Sequence, residues 1–233
     1  MPVVCGVDGC RAGWIAVCHD LKDGKLTSRI VDDFREIGRS FYKPSVIAVD
    51  IPIGLPDKGA RPCDMLARRL LGPRASSVFP APLRQVFGAA SHEEATAISR
   101  NLLGKGISIQ AWGIVPKVRQ VDAALRKNRA LREVVHEVHP EVSFYFLAGG
   151  HPMKASKKVQ LGRDERLKLL RSIYVAEVDR LVVERRRDIC AADDILDALA
   201  ATWTAARILK GKAVIIPDQR HNDHFGLSME IAA

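Results

Sequence analysis

Acidic residues close two of the apolar runs in this sequence. Asp8 ends the run at 3–8, and Asp50 lies in the run at 46–51, just before Pro52 prevents further strand pairing. A carboxylate at the end of a buried strand loses its hydration, which costs free energy unless a positive group meets it. If the two runs form neighbouring strands, their carboxylates lie close together and repel each other unless a proton or a cation lies between them.

Further carboxylates are predicted to reach the same place from the second half of the chain. Asp194 and Asp197 are three residues apart in a predicted helix and therefore share a face. Glu137 and Glu141 are both candidates for a remaining acid, and Glu137 is preferred because it lies closest to the end of a predicted strand at 134–138. The predicted catalytic and metal-binding set is Asp8, Asp50, Glu137, Asp194 and Asp197.

Such a set of oxygen ligands suits a hard divalent cation. Mg²⁺ or Mn²⁺ is favoured over zinc because carboxylates are hard ligands. Two such ions about 3.5–4 Å apart activate a water molecule and stabilise the leaving oxygen when a phosphodiester is cleaved. Gly6 and Gly9 lack a Cβ atom, and they are predicted to leave room for an ion and a phosphate beside the backbone.

Each acid also has a structural interpretation. Asp193 or Asp194 can cap the helix that follows and complement its dipole. Asp8 can form a turn before the next glycine, and Asp50 can cap the loop that follows it. Asp197 is harder to explain in this way, because it lies a turn into the helix, past the capping positions.

The chain is strongly basic. Its 36 lysines and arginines exceed its 27 acidic residues, which corresponds to a net charge of +9 and a pI near 9.5. Such a charge attracts anionic partners, and nucleic acid is the commonest of these, although any one basic cluster can equally be a solvated helix face. The residues predicted to contact substrate are Arg11, Arg61, Arg68, Arg74, Lys117 and Lys158.

One basic cluster has the composition of an anion-binding edge, because arginine forks match phosphate oxygens. Its members are Arg61, Asp64, Arg68, Arg74, Ser76 and Ser77. Asp64 and Arg68 are four residues apart, so an ordinary salt bridge within a helix is the alternative. Lys157 and Lys158 are predicted to meet a phosphate backbone, with solvated charge as the alternative.

The hydrophobic pattern indicates an α/β domain whose sheet positions these residues. The first three apolar runs predict an antiparallel meander, and the continuous run that follows is typical of a strand buried on both faces. Predicted strands lie at 3–8, 14–18, 25–31, 46–51, 134–138 and, at an edge, 214–216.

The strongest helix is predicted at 192–209, where Leu196, Leu199, Trp203 and Ala206 recur at intervals of three and four. Residues 52–130 are predicted to be a mostly helical insertion after the fourth strand, within a single domain spanning 1–233. His221 and His224 are predicted to lie in a mobile tail. Predicted helices lie at 33–41, 63–71, 91–103, 118–130, 141–148, 163–173 and 192–209.

The cysteines predict a protein of a reducing compartment. Cys5, Cys10, Cys18, Cys63 and Cys190 are odd in number and scattered, with no Cys-x-x-Cys pair, so neither a disulfide framework nor a zinc ribbon is expected. The sequence has no recognisable secretory segment and no apolar stretch of membrane-spanning length. A cytoplasmic protein without membrane contact is therefore expected.

Several motifs in order along the chain resemble a known family. They are GVDGCRAGW, IAVDIPIGLP, RPCDMLARRLLGPRASSVFPAP, EVHPEVSF, a Lys-Lys pair and DDILDALAATWTA. Together they are similar to the predicted-nuclease family known as domain of unknown function 429, and they cover nearly the whole chain.

This resemblance implies a ribonuclease H-like mixed sheet flanked by helices, and an acidic metal site to which Asp8 and Asp50 contribute from adjacent strands. The closing motif with Asp194 and Asp197 also resembles the last helix of Holliday-junction resolvases, where two acids complete the site. The family's activity is itself an expectation from its fold, and a fold alone does not prove a chemistry.

The function expected from these observations is a nuclease that depends on Mg²⁺ or Mn²⁺ and acts on nucleic acid. Two alternatives stay open. One is a phosphoryl-transfer or nucleotide-binding enzyme related to the actin-like and sugar-kinase ATPases, although 233 residues leave no room for a second copy of that core. The other is a non-catalytic module that binds nucleic acid through its basic surface. The choice among DNA, RNA and a small phosphate ester, and the oligomeric state, stay open as well.

Overall fold

The computed structural model describes residues 2–39 and 43–233. Its sheet begins with the predicted antiparallel meander of β1 (Val3–Cys10), β2 (Gly13–Asp20) and β3 (Leu26–Val31). The short helix α1 (Arg35–Gly38) follows. Residues 40 and 41, the end of the helix predicted at 33–41, lie outside the described residues.

Two strands parallel to β1 complete the main sheet. β4 (Val46–Val49) pairs with β1, and β5 (Val135–Glu137) pairs with β4, so the strand order is β3-β2-β1-β4-β5. The expected α/β class, a mixed sheet flanked by helices, is confirmed. Because parallel strands end at the same edge of a sheet, the chain that leaves β4 lies beside the C-terminal half of β1.

Residues 52–130 fold into helical elements. The helices α2 (Pro62–Leu71) and α3 (His92–Leu103) lie where the sequence predicts them. Short 3₁₀ turns at Gly72–Ser77 and Arg84–Gly88 lie between these two helices.

The next helix, α4 (Ile109–Lys127), begins well before its predicted start at 118. The side chain of Ser108 caps it by accepting a hydrogen bond from the amide of Ala111 at 3.1 Å. The helix continues through Pro116, which removes one backbone hydrogen bond. Burial of flanking apolar residues such as Val115 and Val118 offsets that loss. The short helix α5 (Arg129–Val134) then leads into β5.

The remaining helices are α6 (Pro140–Leu147), α7 (Gln160–Tyr174), α8 (Glu177–Glu184) and α9 (Ala192–Leu209). The bounds of α9 agree with its prediction because its apolar period is unbroken. Helix α8 is not predicted from the sequence, and it spans only eight residues. No helix in the described part of the chain is long and apolar enough to cross a membrane.

The C-terminal segment is packed against the domain, so its prediction as a mobile tail is wrong. Asp223 lies between the two exposed histidines and is buried, and so are residues 231–233. The predicted edge strand, observed as β6 (Ile215–Ile216), pairs with β7 (Ile231–Ala232) in a separate small sheet instead of extending the main one.

Helix α9 lies directly on the main sheet. A Cβ atom added to Gly6 would lie 2.1 Å from both the carbonyl oxygen of Ala198 and the amide nitrogen of Thr202. The hydroxyl of Thr202 also donates to the carbonyl of Val17 at 2.9 Å. Gly6 therefore makes room for a helix, and the prediction that it makes room for an ion or phosphate is wrong.

The expectation that the cysteines form no disulfide is also wrong. Cys5 and Cys18 are directly opposite each other in β1 and β2, with their Cα atoms 4.1 Å apart, and they are bonded. The strand pairing brings the two sulfurs together, which their scattered spacing in the sequence does not indicate. Cys10, Cys63 and Cys190 are buried thiols.

Candidate metal centre

The sheet places Asp8 and Asp50 side by side. Val7 in β1 is the register partner of Val49 in β4, so the next residue on each strand is an aspartate. The amide of Asp50 continues the pairing by donating to the carbonyl of Val7 at 2.9 Å. The adjacency predicted from two apolar runs is therefore confirmed.

Asp197 brings a third carboxylate from α9. It lies on the face of the helix that packs on the sheet, and it is only 2% exposed. One carboxylate oxygen from each of Asp8, Asp50 and Asp197 lies within 4.8 Å of the other two. We call these three residues the acidic centre. Three elements distant in the sequence thus converge on one point.

The acidic centre strongly favours protonation or a cation. Burial, reinforced by the negative charges of Asp50 and Asp197, raises the pKa of Asp8 well above its usual range. Burial and the charge of Asp197 raise the pKa of Asp50 to about 8. Carboxylates in this state bind a proton near neutral pH unless another positive charge is present.

Lys157 supplies one such charge. Its ammonium group forms an ion pair with Asp197. Burial alone would lower the pKa of Lys157, but the charges of Asp197 and Asp8 outweigh burial and raise it. The sequence predicts Lys157 and Lys158 only as phosphate contacts, because tertiary packing is what brings their loop to α9.

Buried contacts hold the Lys157 loop, residues 154–158, in place. Arg166 is fully buried and donates to the carbonyl of Ala155 at 3.1 Å. A Cβ atom added to Gly162 would lie 2.0 Å from the carbonyl oxygen of Ser156, so the loop packs closely against α7. Lys157 is therefore positioned by its backbone as well as by the carboxylates.

Asp194 has the structural role that the sequence left open. Its carboxylate accepts a hydrogen bond from the amide of Ala191 at 2.8 Å and so caps the start of α9. Burial raises its pKa. It lies outside the group of three carboxylates that can share one ion.

Glu137 is engaged with other partners, and it lies outside the group of three carboxylates that can share one ion. Its two oxygens accept hydrogen bonds from the guanidinium of Arg61, both at 2.7 Å, and one also accepts from the amide of Ile53 at 2.6 Å. Arg61 also binds Asp64 at 2.5 Å. A carboxylate held in this way by a buried arginine already has its counter-charge.

Two of the predicted substrate contacts, Arg61 and Arg68, have structural roles instead. Arg61 is 2% exposed and is occupied by its two carboxylates and the carbonyl of Ile53. Arg68 donates to the carbonyls of Ala75 and Val78 at 2.9 and 2.6 Å, which shapes the loop that follows α2. These carbonyl contacts of Arg68 match neither the predicted anion-binding edge nor the predicted salt bridge with Asp64.

Arg11 also lies away from the acidic centre. It is exposed and donates to the carbonyl of Asp188 at 3.2 Å. It is not among the residues that line the pocket described next.

A pocket of about 430 Å³ opens beside the acidic centre and is lined by Asp8 and Asp50. Three predicted substrate contacts line it as well, and we call Arg74, Lys117 and Lys158 the basic rim. Lys117 lies across the turn between β1 and β2, where it donates to the carbonyls of Cys10 and Gly13 at 3.2 and 2.8 Å.

Gly9 borders this pocket as well. A Cβ atom added to Gly9 would lie 2.7 Å from the side chain of Lys117. The glycine therefore makes room for the Lys117 side chain beside the pocket, and its role beside an ion and a phosphate stays a prediction.

Glu141, the other candidate for the remaining acid, lines the pocket too. One of its oxygens pairs with buried Arg166. The other is buried without a hydrogen-bond partner among the described residues and lies 3.9 Å from the Nε atom of Arg74. Glu141 therefore contributes a buried carboxylate oxygen beside Arg74 in the pocket lining.

His139 adds a neutral imidazole to the pocket wall. Burial lowers its pKa, and its Nε2 atom lies 3.3 Å from the carbonyl oxygen of Ser77. In the neutral ring with Nε2 donating to that carbonyl, Nδ1 keeps a lone pair, and this atom is buried with no partner in the described part of the chain.

The acidic centre fits a divalent cation. Its three oxygens are hard ligands, they are close enough together to share an ion, and their desolvation makes a positive charge favourable. Lys157 balances only one of the three negative charges that full ionisation would produce. The donor set consists of carboxylates, which favour Mg²⁺ or Mn²⁺ over the softer zinc and copper.

A family model described as "Protein of unknown function (DUF429)" matches residues 6–222. The chain belongs to this family. The DUF429 match spans all three residues of the acidic centre and the whole of the pocket lining. No curated protein and no solved structure matches the chain significantly.

Proposed function

We propose that this DUF429 protein is a divalent-metal-dependent phosphodiesterase that acts on nucleic acid, with water as the nucleophile. The observation that carries the proposal is the convergence of Asp8, Asp50 and Asp197 within 4.8 Å beside a pocket with a basic rim. A non-catalytic module would gain nothing from desolvating three carboxylates.

A ribonuclease H-like fold is part of the proposal. Its support is the strand order β3-β2-β1-β4-β5, with β2 antiparallel to its neighbours and β4 and β5 parallel to β1. The acids at the ends of the two central parallel strands, together with one acid on the last long helix, agree with the expectation from the resemblance.

In this proposal the acidic residues bind the cation and the basic residues bind the phosphate. Asp8, Asp50 and Asp197 would hold the cation, Mg²⁺ or Mn²⁺, which would supply activation of a water molecule and stabilisation of the leaving oxygen. Lys117 uses two of its three N–H groups on backbone carbonyls, which leaves one for a phosphate oxygen. Arg74 has an Nε–H group in the same pocket that makes no hydrogen bond among the described residues and lies 3.9 Å from a Glu141 oxygen.

The test is cleavage of single-stranded, duplex, branched and RNA–DNA hybrid substrates with Mg²⁺ or Mn²⁺. Asp8→Asn with Asp50→Asn should reduce the rate by more than about 100-fold, since losing even an outer-shell partner of a metal site costs about 10- to 100-fold. The matched control is Asp193→Asn, which changes an acid of α9 outside the acidic centre and should leave the rate within about twofold. Equal cleavage by the double variant and the wild type would refute the proposal.

Two other results would favour the alternatives. Saturable ATP binding with substrate-dependent hydrolysis would favour a phosphoryl-transfer enzyme. Salt-sensitive nucleic-acid binding that needs no metal and survives replacement of Asp8, Asp50 and Asp197 by asparagine would favour a binding module.

A further inference from the structure

Phe79 is a large apolar side chain left in water at the edge of the pocket. It lines the pocket and is 45% exposed, whereas its neighbour Val78 is buried. Single apolar residues on a protein surface are common and need no explanation. The position of Phe79 makes it a candidate ligand contact, because Asp8 and Asp50 line the same pocket.

The backbone on both sides of Phe79 is anchored. Arg68 donates to the carbonyl of Val78 at 2.6 Å, and Asp64 accepts from the amide of Ala81 at 2.9 Å. The ring is therefore presented by a loop that charged groups hold in place. A ligand that packs on a preorganised ring loses little free energy to ordering the protein.

The pocket combines three kinds of surface. One part carries the carboxylates that would hold a cation, another carries the basic rim, and a third is apolar. A nucleotide has matching parts, namely a charged phosphate, a hydroxylated sugar and a base with a flat aromatic face. The apolar and hydroxyl-bearing parts of the lining include Phe79, Ile114, Pro52, Ser76 and Ser77.

The size of the pocket and the position of Phe79 favour an unpaired nucleotide. A volume of about 430 Å³ lies within the range of about 300–1,000 Å³ that is usual for small-ligand sites. Inside a duplex, neighbouring bases cover both faces of each base. An aromatic side chain reaches such a face only when the base leaves the stack.

We propose that Phe79 is a stacking platform for the base of an unpaired nucleotide whose phosphate lies at the acidic centre. The ligand is a mononucleotide or an unpaired nucleotide of a single strand, which present the same base, sugar and phosphate. This inference rests on the proposed function, because that function places the phosphate.

Binding of AMP and of ribose 5-phosphate, measured by calorimetry in Mg²⁺, tests the platform, because ribose 5-phosphate carries a hydroxyl group at the position where AMP carries the base. The wild type should bind AMP roughly 5- to 150-fold more tightly. Phe79→Ala should remove that difference and leave ribose 5-phosphate binding unchanged, whereas Phe79→Trp should retain it. The matched control Ile109→Ala truncates an apolar side chain of α4 that is 71% exposed and absent from the pocket lining, and it should change neither affinity.

Equal affinity of the wild type for the two ligands, or no binding of either, would overturn the proposal. An equal loss of both affinities in Phe79→Ala would also overturn it, because that result indicates a structural role. Thermal unfolding of each variant checks that it is folded.

An oligonucleotide of about eight residues, alone and annealed to its complement, separates the two sources of the ligand. Preference for the single strand by at least about fivefold supports the proposal and identifies strands, whereas AMP binding without strand binding supports it and identifies free nucleotides. Equal binding of strand and duplex would overturn it.

Failure of this inference is distinguishable from failure of the proposed function. Metal-dependent cleavage combined with base-independent binding would leave the phosphodiesterase standing and reject the platform. Base-dependent binding that Phe79→Ala abolishes, in a protein that cleaves no phosphodiester, would retain the platform and reject the phosphodiesterase.

Discussion

Three carboxylates and one ammonium group meet at the acidic centre, and their charges do not balance. Full ionisation of Asp8, Asp50 and Asp197 produces three negative charges, of which the ion pair between Lys157 and Asp197 offsets one. The remaining repulsion acts between groups with little water to screen it. The pKa values and the metal affinity of the protein should both reflect this imbalance.

Without metal, the protein should lose stability as the pH rises. The pKa of Asp50 is about 8 in the folded chain and close to 4 in an unfolded one, so the folded state binds more protons between these values. The free energy of unfolding should therefore be highest near pH 5 and fall toward pH 8, by up to about 1.4 kcal/mol per pH unit for each such proton. Urea unfolding in EDTA from pH 5 to pH 8 measures this slope.

Two comparisons check that slope. Asp50→Asn should make it shallower, because the asparagine does not titrate, and Mn²⁺ should reduce it in the wild type by replacing the proton. A wild-type stability that rises from pH 5 to pH 8 in EDTA would contradict the raised pKa of Asp50.

Lys157 should compete with a divalent cation for the acidic centre. Lys157→Met removes the cation paired with Asp197, so the metal-free protein should unfold at a lower temperature while its affinity for Mn²⁺ increases. The change in melting temperature on adding Mn²⁺, with the dissociation constant from calorimetry, measures both effects. Lys158→Met changes the exposed neighbouring lysine and serves as the matched control. Weaker Mn²⁺ binding by Lys157→Met would instead show that the lysine supports the metal site.

At the scale of elements, the close approach of α9 to β1 determines whether Asp197 reaches the other two acids. Gly6 allows this contact, because any side chain there would meet the helix backbone at 2.1 Å. On the opposite face of the sheet, buried residues of α4 such as Val118 and Val121 pack against Val7 and Val49. The sheet is therefore held from both faces.

Gly6→Ala should separate α9 from the sheet and weaken the acidic centre. The inserted methyl group overpacks a contact between two backbones, which costs at least about 1–3 kcal/mol in the free energy of unfolding. Mn²⁺ affinity should fall as well, because Asp197 moves away with the helix. Chemical denaturation and calorimetry with Mn²⁺ measure the two effects.

Gly113→Ala in α4 is the same substitution at a position where the added Cβ atom meets nothing within 4 Å in the described part of the chain. It should stabilise the protein by about 0.5–1 kcal/mol through helix propensity. Equal effects of the two substitutions would contradict the close packing at Gly6.

Arg61 joins three elements through buried charges, and its removal should be costly. It binds Glu137 at the end of β5, Asp64 in α2 and the carbonyl of Ile53 in the loop after Asp50. Arg61→Met leaves two buried carboxylates without their partner, so the free energy of unfolding should fall by about 3–5 kcal/mol. Arg69→Met, on the exposed face of the same helix, should change it by less than about 0.5 kcal/mol. Urea denaturation of both variants measures the difference.

At the scale of the whole molecule, an acidic centre lies within a chain of net charge +9. The excess positive charge attracts a polyanion over a long range, whereas the acidic centre repels it unless a cation is bound. The basic rim adjoins the acidic centre, since Arg74, Lys117 and Lys158 line the pocket beside Asp8 and Asp50.

The salt dependence of single-strand binding should therefore increase with the number of basic-rim lysines that contact phosphates. Replacing Lys117 or Lys158 by Gln should lower the slope of log affinity against log salt by about 0.7 for each phosphate that the variant no longer neutralises. Lys22→Gln, in the turn between β2 and β3, is the control and should leave the slope unchanged. Fluorescence anisotropy in Mg²⁺ from low to high salt measures these slopes. Unchanged slopes in both rim variants would show that these lysines do not bind the strand.

Much of the fold could be predicted because local patterns specify it. The meander, the buried strand before Asp50 and the bounds of α9 follow from apolar spacing, which depends only on neighbours in the sequence. The start of α4 was wrong because Pro116 indicates a break, whereas the burial that overrides it is a property of the folded domain. The Cys5–Cys18 bond depends on strand register in the same way.

By itself, the sequence determined that Asp8 and Asp50 end two buried runs and that Asp197 lies inside an apolar helix face, since each conclusion needs only nearby residues. Only the tertiary structure decided which partner each acid meets. Arg61 reaches Glu137 across 76 positions of the chain, Lys157 reaches Asp197 across 40, and Asp194 caps its own helix. Both oxygens of Glu137 accept from buried Arg61, whereas Asp197 still meets Asp8 and Asp50 at one point alongside its ion pair with Lys157. Each of these long-range partners depends on how distant segments pack, which local sequence patterns do not specify.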